Sequence, residues 1–309
     1  LLPWIGRWLM AGIKRRRVQA RWTKPRRYDR NLVVIGAGAA GLVSSLIGAT
    51  VRAKVTLVEA GKMGGDCLNY GCVPSKALIK SARVAEAMRK ADHYGLQPAD
   101  PQFDFRAVMA RVHAAIAAIA PNDSVERYTG LGVDVVQGYA RIVDPWTVEI
   151  ARHDGTTQRL TTRSIIIAAG AAPVVPDLPG LADSGYLTSD TMWERMAEMD
   201  AMPRRMVVLG GGPIGCELAQ AFARLGAAVT QVERGPRILP REDEDVSALA
   251  AAAQAGSGVA LLTDHEAVRV EAAGDQRQLV VRGADGERAI PFDALIVAVG
   301  RKARLTGYG

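Results

Sequence analysis

Two stretches of this 309-residue chain repeat one another 174 positions apart, and no other feature limits the fold as much. Val33-Val34-Ile35-Gly36-Ala37-Gly38-Ala39-Ala40-Gly41 aligns with Val207-Val208-Leu209-Gly210-Gly211-Gly212-Pro213-Ile214-Gly215, and Val55 to Glu59 aligns with Val229 to Glu233. Each copy is a short apolar run, a Gly-x-Gly-x-x-Gly turn and, 23 residues after the first glycine, an acid that closes a second apolar run. Runs of this kind suit parallel strands buried on both faces, and the glycine turn opens a helix. The unit brings backbone N–H groups to a pyrophosphate at the helix N-terminus and offers the acid to ribose hydroxyls. A lone glycine motif is weak evidence, but the flanking strands and the acid at its expected distance make this one specific. The chain therefore reads as an α/β protein with two Rossmann-like dinucleotide-binding domains.

Between the repeats lies Gly64-Gly65-Asp66-Cys67-Leu68-Asn69-Tyr70-Gly71-Cys72-Val73-Pro74-Ser75-Lys76, with two of the three cysteines five positions apart. Pro74 suits the first position of a helix, which puts Cys72 at the helix mouth, where unpaired N–H groups and the macrodipole favour a thiolate. Cys67 is a short glycine-containing turn away, close enough for a strained disulfide that a reductant opens and closes. The competing readings are two buried apolar cysteines or half of a metal site. A metal site needs further Cys or His, and none falls within the segment, so no metal is expected. Two dinucleotide sites flanking a thiol pair imply electron flow from one dinucleotide to another and then to sulfur. Only a flavin stands between a hydride donor and a disulfide in that scheme, so one site is assigned FAD and the other a nicotinamide. The first is the FAD site, because Glu59 lies eight residues before Cys67. Glu233 suits the 2′-hydroxyl of NAD and repels the 2′-phosphate of NADP, while Arg234 and Arg237 keep NADP as the weaker alternative.

The length favours two domains, and no run approaches the roughly 20 apolar residues of a membrane helix. Three cysteines in so long a chain do not make a secreted disulfide scaffold, so a cytoplasmic, reducing compartment is expected. The net charge of +7 is not spread as a nucleic-acid footprint would be. Residues 1–30 carry ten Lys/Arg against the single acid Asp29, while the rest of the chain carries 29 Lys/Arg against 31 acids. The basic segment follows the short apolar stretch Leu1 to Ile13, with Trp4 and Trp8 on one helical face. Either it is the end of a membrane segment with a positive flank, or it is a disordered basic linker. A first residue of Leu rather than Met fits a piece of a longer chain.

The domains divide as a basic tail or juxtamembrane linker over 1–30, an FAD-binding domain over 31–175 that resumes after 301, and a nicotinamide-binding domain over 176–300. Residues 301–309 begin the return. Helices are expected over 75–95 and 103–130, with Ala77, Leu78, Val84, Ala85 and Met88 on one apolar face. Strands are expected over 133–143, 147–151, 164–170, 259–270, 279–282 and 294–300, with Asp154-Gly155 as a hairpin turn and a surface helix over 243–255. Pro173, Pro176 and Pro179 mark the domain boundary.

These residues resemble the pyridine nucleotide-disulfide oxidoreductases, the flavoprotein family of dihydrolipoamide dehydrogenase, glutathione reductase and mercuric reductase, from 31 to about 304. The resemblance makes Cys72 the thiol against the flavin and Cys67 the thiol that meets substrate. Lys76 and Glu217 would form an ion pair beside the flavin. The two cofactor sites would draw on Gly36, Gly38, Ala39, Ala40, Gly41, Glu59, Gly65, Lys76, Ala140, Ala169 and Gly170, and on Gly210, Gly212, Pro213, Ile214, Gly215, Glu233 and Gly300. Cys216 matches no redox position and is expected as a small core residue. Asp66 and Ala169 each stand where the family usually has Thr, and Ala303-Arg304 where it has Pro-Asn. None of His93, His113, His153 or His265 matches a family motif. The chain stops before the family's Gly-Asp segment and its C-terminal dimerisation domain with a His/Glu acid-base pair. The expectation is thus a C-terminally truncated member of a homodimeric NAD(P)H-dependent oxidoreductase acting on a disulfide or a metal ion. The alternative is a membrane-tethered redox sensor or binding module without efficient turnover.

Overall fold

The computed structural model describes residues 2–273 and 276–309. Leu1, where the apolar N-terminal stretch begins, lies outside them. In chain order, the first elements are α1 (Leu2–Gln19), β1 (Arg30–Ile35), α2 (Ala39–Thr50), β2 (Val55–Glu59), α3 (Gly65–Asn69), α4 (Cys72–Arg89), α5 (Phe105–Ile119) and α6 (Val125–Gly130). Three long strands follow, β3 (Val133–Asp144), β4 (Thr147–Arg152) and β5 (Thr157–Ile167), then β6 (Ala171–Pro173), α7 (Met192–Ala197), β7 (Arg205–Leu209) and α8 (Pro213–Leu225). The chain continues through β8 (Ala228–Val232), α9 (Glu244–Gly256), β9 (Ala260–Leu262), β10 (Glu266–Ala273) and β11 (Gln276–Gly283). It ends with β12 (Gly286–Phe292), β13 (Ala294–Val297) and β14 (Arg301–Ala303). Contacts gather these into two compact units, one of residues up to 65 with 121–170 and 304–309, the other of 66–120 with 171–303. The division expected at residue 175 runs along the sequence, whereas this grouping draws 66–120 into the second unit.

In the first unit β5, β1, β2 and β3 form a parallel sheet in which Val33 pairs with both Thr56 and Ile165. Beyond that sheet β3 and β5 run on to pair antiparallel with β4, so the five strands close into a ring. Alternate residues of β1 meet different layers. Val33 and Ile35 pack with Val148, Ile150 and Leu160 of the antiparallel portion, while Val34 packs with Leu42 of α2 and Tyr128 of α6. Both faces are covered, which is why the strand is apolar without alternation. Ahead of β1, residues 2–19 form the helix α1, on which Trp4, Trp8, Leu9, Met10 and Ile13 are exposed. Among the described residues no helix is long and apolar enough to cross a membrane.

The second unit repeats the layering. Its parallel sheet runs β13, β7, β8, β9, with Val207 between Leu295 and Thr230. Met206 and Val208 face a helical layer that includes Leu78 of α4, Met109 of α5 and Phe222 of α8. Val207 and Leu209 face the antiparallel sheet of β10, β11 and β12 through Leu279, Val281 and Phe292. Helix α4 buries Ala77, Leu78, Ala82 and Ala85, while Val84 and Met88, expected on the same face, are exposed. Small side chains let α4 lie close to α8, which also presents Ala219 and Ala221, while Leu78 stays inside and Val84 and Met88 are turned out. The expected strand 259–270 is two strands, β9 and β10, and β12 went unread because only Ile290 and Phe292 of it are buried.

Phe222 is fully buried among Met206, Leu218 and Val229. Phe222→Ala is expected to cost about 3–5 kcal/mol in denaturant unfolding through the cavity it leaves. A loss below about 1 kcal/mol would show that this layer collapses to fill the space.

Candidate dinucleotide and thiol sites

The two glycine turns are built alike, each within its own unit. Gly36 and Gly210 take φ of +101° and +120°, and a β-carbon there would overlap the carbonyl oxygens of Ala168 and Ala298, respectively. Only glycine meets both demands. The strands beyond are closed off in the same manner, Ala168 N–H donating to Ile35 O at 2.7 Å and Ala298 N–H to Leu209 O at 2.8 Å. Gly41 and Gly215 pack the following helix onto its own turn, since a β-carbon on either would overlap the first glycine's carbonyl.

The acids do more than wait for ribose. Glu59 Oε2 accepts from Ala37 N–H and Oε1 from Gly61 N–H at 2.6 Å. Glu233 Oε2 accepts from Gly211 N–H and Oε1 from Gly235 N–H, both at 2.7 Å. Each carboxylate thus straps the glycine turn to the loop that follows the second strand, with its remaining lone pairs open to a hydroxyl.

Helices α2 and α8 start at Gly38 and Gly212, and neither residue caps its helix with a side chain. The first-turn N–H groups of Ala39, Ala40 and Gly41, and of Ile214 and Gly215, have no intrahelical acceptor. Pro213, at the first helical position, has no N–H to satisfy. A β-carbon on Gly212 would meet nothing within 4 Å. Uncapped helix mouths fit a diphosphate in both units. Ala140 is buried in β3 opposite Ile150, and Ala169 follows β5. Gly170 and Gly300 both take positive φ, and their carbonyls accept from Arg304 N–H at 3.0 Å and Val174 N–H at 2.9 Å.

The thiol segment leaves from the first of these turns. Gly64 N–H donates to Ala37 O at 3.0 Å, and Gly65 lies so close to Gly38 that a β-carbon on it would meet the Gly38 Cα at 2.6 Å. Two residues on, Cys67 is half-buried in α3, and Cys72 is exposed as the first residue of α4. The sulfurs are not joined to each other in this structure. The helix begins at Cys72 itself, which makes Pro74 its third residue rather than its first. That position also lies among the N–H groups with no helical acceptor, so the ring is tolerated. Cys72 is the more exposed of the pair.

Lys76 and Glu217 are the fifth residues of α4 and α8, both exposed, and among the described residues no ion pair joins them. Exposed pairs of this length gain little without a further partner to fix them. Cys216 is buried, accepts from Gln231 Nε2 at 3.5 Å, and burial pushes its thiol up.

One cluster lay outside the motifs. The Arg301 guanidinium donates to Asp66, to Asp190 Oδ1 at 2.9 Å, to Ser189 Oγ at 2.7 Å and to Ala171 O at 3.0 Å. Trp193 Nε1 donates to Tyr70 O at 2.8 Å. The sequence alone offers Asp66 only as a departure from Thr; its partner is 235 residues away, and no local pattern announces it.

Fold and site together define a protein of two dinucleotide-binding units with a pair of thiols close after the first glycine turn. The sequence pattern of the pyridine nucleotide-disulphide oxidoreductases matches residues 30–308, and the chain belongs to that family. It is 37% identical over 291 residues to a dihydrolipoyl dehydrogenase of Pseudomonas aeruginosa, a match covering 90% of this chain and 59% of that protein. A mercuric reductase of Streptomyces lividans is 33% identical over 287 residues, covering 91% and 58%. Among solved structures, the HOCl-induced flavoprotein disulfide reductase RclA of Escherichia coli superposes with a TM-score of 0.73 at 26% identity, over 90% of this chain and 58% of that one. RclA is also known as a Cu(II) complex. The chain thus spans somewhat under three-fifths of the length of these relatives. The family is one of FAD and pyridine-nucleotide proteins, which agrees with the two uncapped helix mouths.

Two measurements check the site. Glu59→Gln and Glu233→Gln each replace an acceptor oxygen by an N–H donor and are expected to cost about 1–3 kcal/mol of stability with no dinucleotide present. An effect confined to dinucleotide binding would show that the straps are not structural. In timed alkylation at neutral pH, Cys72 should react first and Cys216, buried with its thiol pushed up, last. Early labelling of Cys216 would contradict its burial.

Proposed function

We propose that this chain belongs to an NAD(P)H-dependent reductase whose reducing equivalents reach Cys67 and Cys72 and leave for a disulfide or metal-ion substrate. The observation that carries this reading is the thiol segment itself, which starts against the first of two identically strapped glycine turns. FAD on the first turn would supply the two-electron exchange between a reduced nicotinamide and sulfur. The residues of the chain do the rest. The helix mouths of α2 and α8 would hold the two diphosphates, and Glu59 and Glu233 would take ribose hydroxyls while keeping the turns open. With a disulfide substrate, a Cys67 thiolate attacks one sulfur and releases one thiol. Cys72 then attacks the Cys67 sulfur of the mixed disulfide, closing Cys67–Cys72 and releasing the second thiol, two electrons and two protons in all. The mercuric reductases among the relatives and the copper-bound RclA support a thiophilic metal ion as the other candidate.

Cys67 for substrate and Cys72 for the flavin are carried over from the resemblance, as is the ion pair of Lys76 with Glu217. NADH is the coenzyme Glu233 favours, with Arg234 and Arg237 keeping NADP as the weaker alternative; the reading is supported by the Arg237 guanidinium donating to the carbonyls of Glu242 and Pro240 at 2.8 and 3.2 Å. We place the protein in the cytoplasm, where a cycling thiol pair is kept in use, and as a homodimer by the same resemblance.

Anaerobic addition of NADH to the FAD-loaded protein should expose two thiols to dithionitrobenzoate. Cys67→Ser and Cys72→Ser should each remove that gain, and NADPH should act more slowly. FAD alone should protect Cys72 from alkylation and leave Cys67 reactive. Protection of Cys67 would reverse the two roles, and no gain in thiols with NADH would leave a dinucleotide-binding module in place of a reductase.

A further inference from the structure

We propose that α1 and the basic segment behind it bind the surface of an anionic lipid bilayer. This rests on the N-terminal segment alone and is independent of the redox reading. In α1 large apolar side chains lie open: Trp4 and Trp8 are each 78% exposed and Met10 66%. Grouped exposed apolar residues of this size mark an interaction surface rather than a water-facing one. Residues 1–28 hold nine Lys/Arg and no acid, and none of the described basic side chains among them forms an ion pair. Arg21 stacks 3.9 Å over the Trp22 ring instead.

The order of these residues selects the partner. Polarity changes along the axis of α1 and not around it: Arg7 is the only charge before Lys14, and Lys14 to Arg17 are four consecutive cations. That sequence matches the gradient from acyl chains to phosphate headgroups, with tryptophans at the boundary. The turns from Leu2 to Ile13 are about 18 Å long at ~1.5 Å per residue, enough to reach through one leaflet of a ~30 Å hydrocarbon core. Nucleic acid would use the cations and leave Trp4 and Trp8 bare. A second copy of the segment would set nine positive charges against nine.

The test is flotation of the purified chain with vesicles of phosphatidylcholine alone or mixed with phosphatidylglycerol. Binding is expected only to the mixed vesicles and should weaken as salt is raised. Replacing Lys14, Arg15, Arg16 and Arg17 by Gln should lower partitioning about five-fold per charge, on the order of several hundred-fold together. Trp4→Ala with Trp8→Ala should lower it while leaving the salt dependence in place. Because α1 belongs to neither core, all variants should keep the wild-type thermal midpoint, so loss of binding is not loss of folding. Equal binding to both vesicle types would overturn the proposal. So would absent vesicle binding, whether the cations instead retain single-stranded RNA or the tryptophans instead drive self-association in sedimentation.

Discussion

A turn that is to receive a diphosphate has to stay open without being filled, and in both units a carboxylate keeps it so. Glu59 and Glu233 each accept two backbone N–H bonds, one from the glycine turn and one from the loop after the adjacent strand. Hydrogen bonds to a charged group are worth about 1.5–3 kcal/mol each, enough to outweigh the entropy of a few loop residues. A neutral amide in the same place would present the wrong group to one of the two N–H donors. The acid, usually read as a ribose ligand, is therefore also the reason the site exists before the ligand arrives. Gly36 and Gly210 complete the arrangement by letting the backbone pass against Ala168 and Ala298.

The placement of the thiols follows from an insertion. The first repeat goes from β2 to β3 through α3, α4, α5 and α6, and the first three of these belong with the second unit. Helix α4 lies there on α8 through alanines, so the helix that begins at Cys72 is fixed by the second sheet's helical layer. The junction ahead of it is held by Trp193 on the Tyr70 carbonyl. A mobile loop would hold two sulfurs in register only at an entropic cost. Here the residues between them end one helix and begin the next, and that cost is met on folding.

Local pattern made legible what depends on local chemistry. The 174-residue repeat, the strands β1, β2, β7 and β8 that it carries, the start of α4 beside Cys72 and the burial of Cys216 are all consequences of short stretches, and all could be read from them. What could not be read depends on distant partners. Val84 and Met88 fit a helical stripe as well as Ala82 does, and only the close approach of α8 decides that the smaller side chain goes inside. The joining of 66–120 to the second unit is a property of α8 and β7, more than 80 residues downstream. The β12 strand has little apolar signal of its own, because its place is set by pairing with β11.

Asp66 shows the same limit in one residue. From the sequence it was an extra carboxylate beside a cysteine, with no partner in view. In the fold it shares Arg301 with Asp190, Ser189 and the Ala171 carbonyl. A half-exposed ion pair contributes little stability by itself, about 0–1 kcal/mol. The planar fork of a guanidinium is a different matter, because it meets four acceptors at fixed angles where a lysine would meet them as a point charge. Arg301 therefore acts as a geometric anchor: it begins β14, which pairs with β6, and from that ladder it reaches the first turn of α3 one residue before Cys67. With Asp190, Ser189 and the Ala171 carbonyl already on the guanidinium, Asp66 adds a fourth acceptor that ties the start of α3 to β14.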